Sequence, residues 1–125
     1  PKYMTCKPEL EVMFHKDTFF NIDNCNKESV LVVEGVFDAI RFGDNAIASF
    51  GTSITPSQLN VLRNRFDKVF FLYDSEPEAQ KKARTALTSL NSCGIVTENI
   101  ELDLGDPGDL SDEDAMYLKR DLDLI

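Results

Sequence analysis

The sequence predicts an α/β fold with a mainly parallel central sheet and helices on both faces. Two observations lead to it. Short runs such as VLVV at Val30–Val33 and KVFFLY at Lys68–Tyr73 are apolar at nearly every position, as in strands covered on both sides. These runs alternate with segments of helical spacing, and alternation of this kind implies right-handed βαβ units.

The 125 residues, 42% of them hydrophobic, suit one compact domain with a single core. Residues 1–28 are irregular, rich in Pro, Asn, Asp and Lys, with aromatics at Phe14, Phe19 and Phe20. They read as a lead-in packed on the domain formed by residues 29–125. Val30–Val33 is the first strand and Gly35 ends it. Val36–Phe42 has helical spacing, with Val36, Phe37 and Ile40 as its apolar positions and Gly43 as its stop. Ala46–Ser49 is a second strand. Thr55, Pro56 and Gln58 form a helix start in which Thr55 caps, Pro56 fits the first turn and Gln58 closes a capping box. That helix runs to about Phe66, with Leu59 and Leu62 inward. Lys68–Tyr73 is the third strand. Glu78–Ser92 is a helix with Ala79, Ala83, Ala86, Leu87 and Leu90 inward and Gly94 as its stop. Ile95–Leu102 is the fourth strand, GDPGDL at Gly105–Leu110 a loop, and Ser111 starts a last helix.

Composition narrows the function classes. A formal net charge of -9 disfavours binding to nucleic acid by bulk electrostatics. The three cysteines are widely spaced, with no CxxC and one histidine, which argues against a zinc site and against a disulfide framework; a reducing cytoplasm is the default. No apolar run of membrane-spanning length occurs, and PKYMTCKPEL lacks a signal-peptide pattern. A start on Pro1 rather than Met reads as a processed product or a piece of a longer protein.

The acids carry the functional signal. Ligands of parallel α/β sheets bind at the carboxyl ends of the strands. The first strand ends in Glu34 and Asp38 (EGVFD), the third in Asp74 and Glu76 (YDSEPE), and the fourth leads to Asp106 and Asp109 (GDPGDL). Any one of these has an ordinary reading as solvated surface, or as a helix cap in the case of Asp74. Together on one sheet edge they repel one another, and a bound Mg²⁺ or Mn²⁺ relieves that repulsion through oxygen ligands. Gly35 would let a phosphate approach beside Glu34.

This ordered set resembles the Toprim domain shared by topoisomerases, bacterial-type primases and some nucleases. Glu34–Gly35 with Asp38 matches its first motif. Asp74–Ser75–Glu76 matches its Asp-x-Asp motif, with Glu76 where the second Asp is usual. ASFGTSIT at Ala48–Thr55 and GDPGDL resemble primase segments, and so does the lead-in, with Lys2–Tyr3 followed by Phe14–His15–Lys16. The likeness to the catalytic core of bacterial and phage DNA primases of the DnaG type covers almost the whole chain. Residues 1–28 then resemble the end of the primase basic subdomain.

The resemblance implies a nucleotidyltransferase: metal-dependent RNA primer synthesis in DNA replication, needing parts beyond this chain, so that the isolated fragment is inactive. It implies Glu34, Asp38, Asp74 and Glu76 as catalytic residues. Glu34 acts near the reacting phosphate as metal ligand or general base, and Asp38 orients its neighbours. Glu34, Asp74, Glu76, Asp106 and Asp109 are the implied ligands of Mg²⁺ or Mn²⁺, with no zinc. Lys2, Lys16 and Gly35 are the implied contacts to nucleotide or template phosphates. The implied partners are single-stranded DNA template, nucleoside triphosphates and the replicative helicase, in the cytoplasm and away from membranes. Two other classes fit the same acids: a Toprim nuclease cleaving phosphodiesters, and a non-catalytic module that binds metal or nucleic acid.

Overall fold

The computed structural model describes residues 17–51, 53–102 and 107–125. Four strands, β1 (Ser29–Val33), β2 (Ala46–Ala48), β3 (Lys68–Phe71) and β4 (Val96–Asn99), form one sheet in the order β2-β1-β3-β4. Every pairing is parallel, in the registers Val32↔Ile47, Val32↔Phe71 and Phe71↔Asn99. The helices are α1 (Val36–Phe42), α2 (Pro56–Arg65), α3 (Pro77–Ser92) and α4 (Asp112–Asp121). The predicted α/β architecture is therefore present.

Side chains of a strand alternate between faces, so the central strands feed two cores. Val30, Val32, Val69, Phe71 and Tyr73 pack with Leu62 of α2 and with Ala79, Ala83, Ala86 and Leu90 of α3. Leu31, Val33, Phe70 and Leu72 pack on the opposite face with Ala39 and Phe42 of α1 and Ala115 of α4. Both faces being covered explains why β1 and β3 are apolar without interruption.

The local end signals act as the sequence predicts. Thr55 accepts from the Gln58 N–H, Gln58 returns a side-chain bond to the Thr55 N–H, and Pro56 sits in the first turn. Ser111 accepts from the Asp114 N–H to start α4. Gly43 and Gly94 end α1 and α3 with φ of 80° and 87°, conformations that side chains with a Cβ resist.

Two expectations need correction. In α1 the inward residues are Ala39 and Phe42, with Val36 partly buried, whereas Phe37 and Ile40 are 66% and 57% exposed. A seven-residue helix presents one narrow stripe to the sheet. Positions 36, 39 and 42 occupy it at a spacing of three, which turns 37 and 40 outward. The fourth strand is shorter than Ile95–Leu102. Among the described residues it pairs only with β3 and stands at the sheet edge, with Val96 58% exposed. Beyond Asn99, the Ile100 N–H still reaches the Phe71 carbonyl.

Of the lead-in, the described part is stitched to the sheet. Phe20 exchanges two main-chain bonds with Ala48 (3.0 and 3.1 Å), covering the outer edge of β2, and Phe19 is buried in the core. Asn21 Nδ2 donates to the carbonyls of Gly43 and Ala46, at 3.1 Å each. The rest of the lead-in, including Lys2, Tyr3, Phe14, His15 and Lys16, lies outside the described residues.

Gln58 is fully buried, and its Nε2 donates to the carbonyls of Thr18 (2.9 Å) and Ser49 (3.1 Å). One amide thus joins the lead-in, the exit of β2 and the start of α2. Gln58→Ala would leave two carbonyls without their donor and break the capping box. The expected loss is ~2–4 kcal/mol of unfolding free energy, measured by urea denaturation.

Tyr73 is buried beneath the same loop, its hydroxyl 2.9 Å from Ser49 Oγ. Burial drives its pKa far above the usual 10.0, the Ser49 hydrogen bond opposes this, and the nearby Glu34 charge adds to the rise. A raised folded-state pKa contributes stability that is complete below pH 10.0 and lost as pH rises above it. Alkaline titration followed by phenolate absorbance should therefore show a tyrosine that ionises only on unfolding. Tyr73→Phe should remove that component and flatten the alkaline loss of stability.

Candidate active site

The chain leaves β1 for α1 on one face of the sheet and leaves β3 for α3 on the other. The two central neighbours therefore send their loops apart, and the strand order reverses between them. Such a switch point opens a crevice at the carboxyl ends of the strands, where ligands of open α/β sheets bind.

Glu34 and Asp74 stand at that point. The ladder between β1 and β3 runs on past the last regular pair, with the Leu72 N–H bonding to the Val32 carbonyl at 2.9 Å. Its next rung would join the Asp74 N–H to the Glu34 carbonyl. Instead the Glu34 carbonyl accepts from the Gly51 N–H (3.0 Å), and the Asp74 N–H donates 2.8 Å to Glu34 Oε1. A side-chain carboxylate replaces a main-chain acceptor. That is the structural reason why an apolar strand stops on glutamate.

A second grip holds Asp74 from the other side. Gln80, buried in the first turns of α3, donates from Nε2 to the Asp74 carbonyl at 2.8 Å and lies 3.4 Å from the Tyr73 carbonyl. Its Oε1 accepts from Asn99 Nδ2 at 2.8 Å. Gln80 and Asn99 were not among the candidates from sequence. The available signal was a glutamine beside the alanine stripe of α3, where an exposed polar residue is the usual reading.

The other candidates are arranged more loosely. Asp38 is half-buried in the first turn of α1. Gly35 precedes α1 with φ of -109°, which any residue can adopt, so its dihedral does not require glycine. Glu76 is exposed at the cap position of α3. Asp109 is exposed on a single 3-10 turn, Pro107–Asp109. That turn is tied to α1 by Arg41, whose guanidinium donates to the Gly108 carbonyl (2.6 Å) and pairs with Asp112 (3.3 Å). Asp106, Lys2 and Lys16 lie outside the described residues. Lys82 donates to Ser53 Oγ at 3.1 Å, and Arg84 pairs with Glu101 at 3.7 Å.

The donor chemistry fits a hard divalent cation, since both residues at the switch point offer carboxylate oxygens. Among the described residues, no group of three or more His, Cys, Asp or Glu side chains gathers as a metal-holding set. The close juxtaposition on view is Glu34 with the Asp74 main chain.

Comparison with known proteins agrees with this geometry. A family model described as Toprim-like matches residues 31–113, a span that contains Glu34, Asp38, Asp74, Glu76, Asp106 and Asp109.

The chain belongs to the Toprim-like family.

Its relatives include a DNA primase of Aquifex aeolicus, 31% identical over 123 residues, covering 90% of this chain and 24% of that protein. Another is a DNA primase of Campylobacter jejuni, 32% identical over 111 residues, covering 79% of this chain and 18% of that protein. Among solved structures, the Aquifex aeolicus primase zinc-binding and RNA polymerase domains match with a TM-score of 0.64 at 29% identity, covering 75% of this chain and 26% of that one. The DnaG catalytic core matches with a TM-score of 0.63 at 29% identity, covering 80% and 36%. This Toprim-like chain is thus homologous to one segment of the primases and spans about a quarter or less of the curated relatives' length.

The Glu34–Asp74 bond separates structure from chemistry by mutation. Glu34→Ala strips the Asp74 N–H of its acceptor and should cost ~1–3 kcal/mol of stability. Glu34→Gln keeps a carbonyl oxygen at that place and should cost less than ~1 kcal/mol, while removing the charge. Thermal melts of the two variants check the difference.

Proposed function

We propose that this chain is the Toprim catalytic domain of a primase-type protein that makes RNA primers by metal-dependent nucleotidyl transfer, working with parts outside this chain. The observation that carries the reading is the pairing of Glu34 with Asp74 across the switch point. Homology to DNA primases supports it.

In this proposal Asp74, Glu76 and Asp106 hold Mg²⁺ or Mn²⁺, with Glu34 and Asp109 as further ligands. When bound, the cation supplies charge neutralisation at the triphosphate of the incoming nucleotide. Glu34 has a dual place. Through Oε1 it fixes the Asp74 loop, and its carboxylate faces the crevice where the reacting phosphate would lie, as ligand or general base. Asp38, one helical turn further on, orients these neighbours. Lys2, Lys16 and Gly35 contact nucleotide or template phosphates, and residues 1–28 form the end of a basic subdomain. Template DNA, nucleoside triphosphates and a replicative helicase are the proposed partners. The net charge of -9 makes local cation binding, rather than bulk attraction, the means by which this segment would meet phosphates.

A second reading, a non-catalytic Toprim module, is favoured by Glu76 at the position where aspartate is usual. Its longer side chain displaces the carboxylate from the place an aspartate would give it.

Calorimetric titration with Mn²⁺, with and without a nucleoside triphosphate, tests the metal-dependent reading against a module that takes up no cation. The metal-dependent reading expects binding by the wild type that is lost, by at least about tenfold in affinity, in Asp74→Ala. A folded wild type that takes up no cation even with nucleotide present would favour the module.

A further inference from the structure

The position of Asp74 is controlled by a buried side chain that has no place in the acidic motifs. Gln80 is 6% exposed, and its two amide functions are committed to different partners. The Asp74 and Tyr73 carbonyls can be satisfied only by an N–H donor, which directs Nε2 towards them. This leaves Oε1 to accept from Asn99 Nδ2. Asn99 lies at the last paired position of β4, opposite Phe71 of β3. A relay therefore runs from the edge strand, through α3, to the main chain of Asp74. Asn99 Oδ1 is buried with no hydrogen-bond partner among the described residues, so its Nδ2 bond to Gln80 is what this side chain contributes.

The Asp74 residue is thus held at both ends. Its N–H is fixed by Glu34 and its carbonyl by Gln80. A residue pinned at both main-chain groups has little freedom in φ and ψ, and its side chain leaves the backbone in one direction. Asp74 follows the last regular strand residue by three positions, just beyond the final β1–β3 ladder bond from the Leu72 N–H to the Val32 carbonyl. These two side chains hold the main chain of Asp74 from two different elements, β1 and α3.

We infer that Gln80, oriented by Asn99, is a positioning residue that sets the direction of the Asp74 carboxylate for cation binding. The inference rests on the metal reading of Asp74 given above, and extends it to two residues that touch neither cation nor nucleotide. Gln80 draws its donor from the side of α3, whereas Glu34 acts from β1, so the two grips can be removed separately.

The test uses Gln80→Met, which keeps the volume and helix preference and removes both hydrogen-bonding functions, with Asn99→Ala as a milder variant that cuts only the tether. Two quantities are measured on each folded protein: the hydrogen-exchange rate of the Asp74 amide and the Mn²⁺ dissociation constant. In Gln80→Met, Asp74 exchange should quicken by about tenfold while amides in the middle of β1 keep their rates. Mn²⁺ should bind about tenfold more weakly, as when a group that orients a metal ligand is removed. Asn99→Ala should shift both in the same direction by less. Adding Gln80→Met to Asp74→Ala should change Mn²⁺ binding no further.

Unchanged exchange and affinity in folded Gln80→Met would overturn the inference. So would faster exchange with wild-type affinity, since the grip would then have no consequence for the cation. If Gln80→Met fails to fold, Asn99→Ala decides by the same two readouts. A wild type that binds no Mn²⁺ with or without nucleotide overturns the metal reading of Asp74, and the exchange rate alone then decides whether Gln80 holds the loop.

Discussion

The hydrogen bond from the Asp74 N–H to Glu34 Oε1 is the constraint around which this molecule is organised. In a regular parallel ladder that N–H would bond to a main-chain carbonyl, and β1 and β3 would simply continue. Here the carbonyl is taken by Gly51 and a carboxylate fills its place. The two central strands can then stop in register while their chains diverge to opposite faces. A buried donor is satisfied, and a charge is brought to the mouth of the crevice by the same atom pair. Structure and candidate chemistry thus share one side chain: its oxygen is what the fold uses, and its charge is what the chemistry would use.

Around this bond the loops at the carboxyl edge are fastened by amides rather than by apolar packing. Gln58 holds the exit of β2 to the lead-in and Gln80 holds the exit of β3; at the opposite, amino edge of the sheet Asn45, with φ of 67°, likewise donates to the Leu124 carbonyl and to Asn26. Loops have no ladder of their own, so their buried carbonyls need side-chain donors. A carboxamide suits this because it carries donor and acceptor without a charge to desolvate. Apolar side chains fill the two cores, while primary amides fix the edge where a ligand would bind. Asp74 can therefore remain half-exposed on main chain that is held by hydrogen bonds at its N–H and its carbonyl.

Membership of the Toprim-like family and homology to a segment of the primases agree with this division. The acids at the strand ends match the motifs that carried the resemblance. The amides at Gln58 and Gln80 lie outside those motifs. A family pattern names the groups available for chemistry, whereas the precision of their placement depends on neighbours of no particular sequence signature.

The sequence by itself determined the fold class, the order of the elements and most of their ends. The apolar run at Val30–Val33 and the nearly continuous one at Lys68–Tyr73 call for a sheet covered on both faces, and the Thr55–Gln58 box, Ser111, Gly43 and Gly94 act through bonds between near neighbours in the chain. It also indicated that Glu34 and Asp74 stand near one another, because they follow neighbouring parallel strands whose carboxyl ends lie together. Tertiary structure alone decided the rest. The stripe of α1 that faces the sheet depends on how the helix docks, so Phe37 and Ile40 turned outward against their hydrophobicity. The end of β4 depends on where its pairing with β3 stops. The roles of Gln58 and Asn99 depend on acceptors brought close from distant parts of the chain, 40 residues away for Gln58 and Thr18 and 19 for Asn99 and Gln80, and that of Gln80 depends on how the exit of β3 lies against the first turns of α3. A polar residue bonded to a remote carbonyl has the same appearance in sequence as one bonded to water, and only the folded chain distinguishes them.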